Sequence, residues 1–100
     1  MNRMYNVPNN VIENVRSYLK RELPNYKLVK VLRKSSHPDD HYLYMVIGKK
    51  QLEPAYKEMG MGEYTVWSCW NETTQSLNWG HYDIKTEEDA LEMAKEYFCC

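Results

Sequence analysis

Residues 37–41 hold the densest group of side chains that can bind a metal: His37, Asp39, Asp40 and His41. Imidazole nitrogens and carboxylate oxygens are ligands for zinc and other divalent ions, but a zinc site ordinarily takes three or four ligands. His81 is the one further histidine in the chain. The same composition is typical of a hairpin loop in which aspartates make turn hydrogen bonds. We therefore interpret the segment as a loop and predict no metal and no cofactor.

A second arrangement pairs a cysteine with a histidine. Cys69 and His81 lie on neighbouring predicted strands, and Asp83 is placed to orient an imidazole, which is the pattern of an activated thiolate. A cysteine at the centre of a strand is more often a small buried residue. Cys99 and Cys100 form a vicinal pair that is a poor disulfide framework. Phosphate-binding glycine loops and Gly-x-Ser-x-Gly motifs are absent from the sequence. We predict a protein without enzyme activity.

Aromatic composition indicates a binding surface. The chain has nine Tyr and three Trp against one Phe, so nearly every ring carries a polar atom and suits a half-buried position. Tyr and Trp are enriched at protein interfaces. We predict that the protein binds another protein, or a second copy of itself, through one face of its sheet or through the segment 49–62. The residues predicted to make this contact are Tyr64, Trp67, Trp70 and Trp79.

Charge is distributed unevenly along the chain. Residues 1–50 contain ten Lys and Arg against four Asp and Glu, whereas residues 51–100 contain three against ten. Cations interleaved with tyrosines can displace counterions and stack on bases, so nucleic-acid binding through the basic half is the alternative function. The residues of that alternative are Arg16, Lys20, Arg21, Lys27, Lys30, Arg33 and Lys34, and a wider set adds Lys49 and Lys50.

The acidic half predicts a different contact. Its last helix carries a ridge of carboxylates, which with Asp83 and Glu72 could face a basic groove on a partner. The ridge consists of Glu87, Glu88, Asp89, Glu92 and Glu96. Blocking such a groove is a common way for an inhibitor encoded by a phage or a mobile element to act, and this is one form that the predicted protein binding could take.

Hydrophobic spacing predicts a helix near each end of the chain. Asn10 is a good N-cap, with Glu13 at the third helical position, and an apolar stripe then runs until Pro24. Thr86 with Asp89 three residues later is a second capping pair, and a second apolar stripe follows it. Each helix thus has one apolar side to bury.

Between the helices the pattern favours strands. Tyr26–Lys34 and Tyr42–Ile47 predict one hairpin, joined by a loop at residues 35–40 and ended by Gly48. Glu63–Asn71 and Ser76–Ile84 predict a second hairpin. Glycine inside the last strand, at position 80, indicates a bulge or a large ring covering it. Residues 53–59, with Pro54 in the first turn, predict a short helix.

These elements define the predicted fold. It is α+β, in the order α-β-β-β-β-α, with two hairpins in one four-stranded antiparallel sheet and both helices packed on the same face. A chain of 100 residues is the size of a single domain, residues 1–100. Apolar runs fall short of the roughly 18 residues needed to span a bilayer. Residues 1–6 lack the apolar core of a signal peptide, so we expect a cytoplasmic location.

Overall fold

The computed structural model describes residues 7–33 and 44–98. Its elements are α1 (Asn9–Glu22), β1 (Tyr26–Arg33), β2 (Tyr44–Lys50), α2 (Pro54–Glu58), β3 (Tyr64–Asn71), β4 (Ser76–Ile84) and α3 (Glu87–Phe98). All four strands form one antiparallel sheet in the order β1-β2-β3-β4. The predicted sheet, with a helix on either side of it in the chain, is confirmed, and α2 is the predicted short helix. The predicted loop at residues 35–40 lies outside the described residues.

The two long helices cover opposite faces of this sheet. Along β2, Val46 packs in the cluster that contains α1, whereas Met45 and Ile47 pack in the cluster that contains Ala90 and Ala94 of α3. Successive side chains of a strand point to opposite faces. The prediction that both helices share one face is therefore wrong. The reason is that β2 is apolar on both sides, and each apolar side needs its own cover.

Helix α1 begins differently from the prediction. Pro8 occupies the cap position, and its carbonyl oxygen accepts from the backbone N–H of Val11 at 3.1 Å and of Ile12 at 3.3 Å. Asn10 lies inside the helix, so its prediction as the N-cap is wrong. The cap of α3 is confirmed, because Oγ1 of Thr86 accepts from the backbone N–H of Asp89 at 3.0 Å.

Strand β2 continues through Gly48 to Lys50, so the prediction that this glycine ends the strand is wrong. A Cβ atom at Gly48 would lie 2.8 Å from Cζ3 of Trp67 and 3.3 Å from Cδ1 of Tyr26. The glycine is there because two rings lie across the strand at this point. Glycine is needed here so that the rings can pack, and it does not form a turn.

Candidate functional site

Two of the four residues predicted to contact a partner are in the core. Trp70 is 0% and Trp67 is 3% exposed, and both pack beneath α1. Trp70 meets the ring of Tyr18 edge-on at 5.5 Å, and Trp67 meets Tyr26 edge-on at 5.0 Å. Neither tryptophan can contact a partner in this fold, and that part of the prediction is wrong.

A bulge in β3 explains why both tryptophans lie on the same face. Val46 pairs with Trp67 and Tyr44 with Trp70, so β3 has one residue more than β2 between these pairs. Residues three apart in a regular strand point to opposite faces, and the extra residue brings them to one face. Trp79 of β4, opposite the bulged segment, has a φ of 55°. Ser68 in the bulge donates its hydroxyl to the Trp79 carbonyl oxygen at 3.3 Å.

Glu72 ties α1 to the turn between β3 and β4. Its carboxylate accepts from Nε1 of Trp70 at 2.6 Å, from Nδ2 of Asn14 at 3.0 Å and from Nε2 of Gln75 at 3.0 Å. Three neutral donors thus converge on one half-buried acid. Glu72 is held on the α1 side of the sheet, opposite α3, so the prediction that it presents one anionic strip together with the ridge of α3 is wrong.

Large apolar side chains remain exposed around β4 and α2. Trp79 is 62% and Tyr82 is 66% exposed, although β4 is a strand of the sheet. Met61 and Tyr82 line the same small cavity, of about 90 Å³, at the end of the sheet. We call this set the exposed apolar surface. It consists of Tyr56, Met59, Met61, Trp79 and Tyr82.

The sequence pointed to only part of the exposed apolar surface. Trp79 was predicted, and the three residues from α2 and its following turn lie in the predicted segment 49–62. Tyr82 was missed because a register shift near the end of the β3 and β4 pair breaks the alternation of faces that would have indicated it.

The ring of Tyr82 lies over Gly80, where a Cβ atom would be 2.8 Å from Oη. The predicted ring over this glycine is thus confirmed. Tyr64 is half-buried against the α3 cluster.

Polar contacts fix the turn before β3 to the end of β4. The backbone N–H of Gly62 donates to Oδ1 of Asp83, and Nζ of Lys85 donates to the Gly60 carbonyl oxygen and lies 3.2 Å from Oδ1 of Asp83. The hydrogen bond from Gly62, and then that from Lys85, lowers the pKa of Asp83 below its ordinary value of 3.8. A Cβ atom at position 62 would lie 2.3 Å from the Ile84 carbonyl oxygen, so only glycine fits this approach.

Cations collect at the β1 side of the molecule. One cavity, of about 360 Å³, lies between α1 and β1, and a second, of about 240 Å³, lies beside β2 and α2. Lys27 lines both. We call the two together the basic cleft. Its cations are Arg16, Lys20, Lys27, Lys49, Lys50 and Lys57.

The predicted basic set is only partly gathered into this cleft. Arg21 lies over the ring of Tyr18 at 5.8 Å and contacts Glu22. Lys30 and Arg33 are on β1 but do not line the described cavities. Lys34 lies outside the described residues. Lys57 was missed because it stands in the acidic half of the sequence, and only the fold brings α2 beside β2.

The groups considered for catalysis are not assembled in the described part of the chain. Cys69 is fully buried and pairs with Asn78 across the sheet, whereas His81 pairs with Val66. Among residues 7–33 and 44–98, no three His, Cys, Asp or Glu side chains are grouped to hold a metal. The segment 37–41 and the pair Cys99 and Cys100 lie outside those residues. No helix within the same ranges is long and apolar enough to cross a membrane.

The fold and these surfaces define a small α+β domain in which a four-stranded meander has a helix on each face. Residues 10–88 match the family described as Large polyvalent protein associated domain 24, and the chain belongs to that family. No curated protein and no solved structure matches it. The matched range runs from the first turn of α1 to the first turn of α3 and thus includes the whole sheet.

Proposed function

We propose that this domain is a non-enzymatic module that binds another protein through the exposed apolar surface. The observation that carries the proposal is the contrast among the three tryptophans. Two are buried under α1, whereas Trp79 is 62% exposed and is joined by Tyr82 on the same strand. Tyr and Trp are the side chains that most often dominate the free energy of protein binding.

The chemistry of the surrounding residues supports this proposal. Met61 lines the cavity that it shares with Tyr82, and Met59, two residues earlier in the chain, is exposed. Methionine has a flexible, polarizable side chain that adapts to the shape of a partner. Met61 and Tyr82 lie at the same cavity, and exposed apolar side chains that adjoin one another mark interaction sites, whereas single ones need no explanation. We expect the two rings to insert into the partner and the methionines to fill the margin.

Contact through side chains fits this surface better than addition of a strand to β4. Among the described strands, β4 has a neighbour on one side only. Its Trp79 and Asp83 have φ values of 55° and 62°, which interrupt the extended backbone that a second strand would pair with. Irregular edges of this kind discourage strand pairing between chains.

The family description concerns an association with large polyvalent proteins. We therefore propose that the partner is another segment of such a protein, or a protein that acts with it. The narrower suggestion of a phage or mobile-element inhibitor stays a prediction. Its support is the exposed acidic ridge of α3, formed by Glu87, Glu88, Asp89, Glu92 and Glu96, which would suit a basic groove.

Photo-crosslinking tests the proposed surface directly. A photoreactive residue is placed at position 82 in one variant and at position 30, an exposed position of β1 at the opposite edge of the sheet, in another. We expect position 82 to crosslink to a discrete protein and position 30 not to do so. The double variant Trp79→Asn with Met61→Gln should abolish this product, since asparagine tolerates the positive φ at position 79.

Two outcomes would overturn the proposal. One is equal crosslinking at positions 82 and 30, and the other is a crosslink at position 82 that survives the double variant. Light scattering on the unmodified chain identifies one particular partner: a dimer that Trp79→Asn converts to a monomer would show that the surface binds a second copy of the domain.

A further inference from the structure

We propose that the basic cleft binds the phosphodiester backbone of a nucleic acid. This goes beyond the protein contact proposed above, because it concerns different residues and a different class of ligand. The sequence suggested a broad basic half, and the fold selects from it a defined groove around Lys27. The cations of this groove lie close together, and few carboxylates accompany them.

Lys27 is the centre of the cleft. It lies on edge strand β1, directly opposite Lys49 in the register with β2, and it lines both cavities. Like charges facing each other across a pair of strands repel and destabilise the sheet. In the described part of the chain no carboxylate lies within ion-pair distance of Lys27. An anion between the two lysines would relieve this repulsion.

The rest of the cleft is also deficient in negative charge. Glu63 is the single carboxylate lining either cavity among the described residues, and it is shared by two cations, 3.9 Å from Nζ of Lys49 and 3.8 Å from Nζ of Lys57. Arg16 also pairs with Glu13 at 2.9 Å, so the six cations face two carboxylates, and an excess positive charge remains. A groove of one sign concentrates ligands of the opposite sign.

The shape of the cleft favours a chain of anions over a single ion. Its first cavity runs between α1 and β1, the second lies beside β2 and α2, and Lys27 joins them. Cations thus follow one another from Arg16 and Lys20 to Lys57, as required by a polymer with phosphates at regular spacing. An aromatic ring accompanies them, because Tyr26 lines the first cavity. Such a ring can contact bases that are not paired.

Fluorescence anisotropy with labelled oligonucleotides tests the proposal on the intact chain. We expect binding whose affinity falls with salt with a log–log slope of about −3, as for about four displaced counterions. The double variant Lys27→Gln with Lys57→Gln should weaken binding at low salt by about tenfold or more and reduce the magnitude of the slope by about 2. Single-stranded DNA, single-stranded RNA and duplex DNA are measured separately to show which nucleic acid supplies the phosphates.

The matched control is Lys95→Gln on α3, which removes a cation that does not line the cleft. It should leave both the affinity and the slope unchanged. Lys20→Gln, in the first cavity alone, should reduce the magnitude of the slope by about 1. The proposal fails if none of the three nucleic acids binds at low salt, or if Lys95→Gln weakens binding as much as the double variant does.

Discussion

The two faces of the sheet are built in different ways. The α1 face contains the large rings Trp67 and Trp70, edge-on contacts between rings, and the hydrogen bonds that converge on Glu72. The fully buried residues described on the α3 face carry no ring, and the helix meets the sheet there through Ala90 and Ala94. Small residues on a helix allow its backbone to approach a sheet closely, whereas rings between a helix and a sheet occupy more space.

This difference indicates which contacts specify each helix. Rings and directed hydrogen bonds fix α1 in one orientation, since a polar group that loses its partner on burial is costly. Helix α3 depends on shape, since the space between alanine and the sheet admits no larger side chain without movement. We therefore predict that the free energy of unfolding falls when side-chain atoms are removed from the α1 face. On the α3 face it should fall when atoms are added to the buried alanines of the helix.

Trp70→Ala should have the largest effect on stability. The substitution removes a side chain that is 0% exposed, its contact with the ring of Tyr18 and one donor to Glu72. We expect a loss of about 4 kcal/mol in the free energy of unfolding, in the range found for buried Trp replaced by Ala. Urea denaturation followed by far-ultraviolet circular dichroism measures it.

Trp70→Phe separates the ring from its hydrogen bond. Phenylalanine keeps most of the apolar ring but cannot donate to Glu72, and we expect a smaller loss, of about 1 to 2 kcal/mol. If Trp70→Ala and Trp70→Phe were equally destabilising, the hydrogen bond would outweigh the packing of the ring. The α1 face would then be specified by Glu72 rather than by its aromatic residues.

Ala94→Leu should have an intermediate effect and acts on the opposite face. Ala94 is fully buried between α3 and the sheet, and a longer side chain there must displace the helix or adopt a strained rotamer. We expect a loss of about 2 kcal/mol in the free energy of unfolding. The same urea titration measures it.

Glu92→Leu is the matched control for that substitution. It adds leucine to an exposed position of the same helix, and surface changes of this kind usually alter stability by less than about 0.5 kcal/mol. Equal effects at positions 92 and 94 would show that α3 is not closely packed. The contrast between the two faces would then be incorrect.

The sequence predicted the elements well because their signals are local. The cap at Thr86, the proline in α2 and the strand Ser76–Ile84 all depend on neighbouring residues. The faces of the sheet depend on register, and register changes at bulges that no local pattern reveals. The bulge after Trp67 placed Trp70 under α1 and left Trp79 outside. Of the three tryptophans predicted to contact a partner, Trp67 and Trp70 are therefore buried, and Trp79 is exposed.

The prediction that both helices pack on the same face of the sheet was wrong for a related reason. A single apolar stripe shows that a helix packs on something, but not on which face of a sheet it packs. The apolar character of Met45, Val46 and Ile47 on both sides of β2 was the available signal for two covered faces. Lys57 could not be assigned to the basic cleft from the sequence, because its neighbours in space come from β1 and β2 and not from its own segment.

Asp83→Asn should have the smallest effect, and it concerns a carboxylate whose pKa is lowered in the folded chain. Asp83 lies beside Ile84 of the α3 cluster but is exposed, in contrast to the half-buried Glu72 of the α1 face. Because the Gly62 and Lys85 hydrogen bonds lower its pKa below 3.8 in the folded chain, the unfolded chain binds the proton more readily. The resulting stabilisation is present above pH 3.8 and is lost as the pH falls through the lowered value.

Thermal unfolding of Asp83→Asn between neutral and acidic pH measures this contribution. Asparagine can adopt the positive φ at position 83 and can still accept from Gly62, so the variant loses the charge and retains the local shape. We expect a Tm slightly below that of the unchanged chain at neutral pH, with the difference vanishing well below pH 3.8. Glu92→Gln, which removes an exposed carboxylate from α3, should not show this pattern. A difference for Asp83→Asn that grew as the pH fell would have the wrong sign, and the contacts that join the turn at Gly62 to β4 would then not stabilise the charged carboxylate.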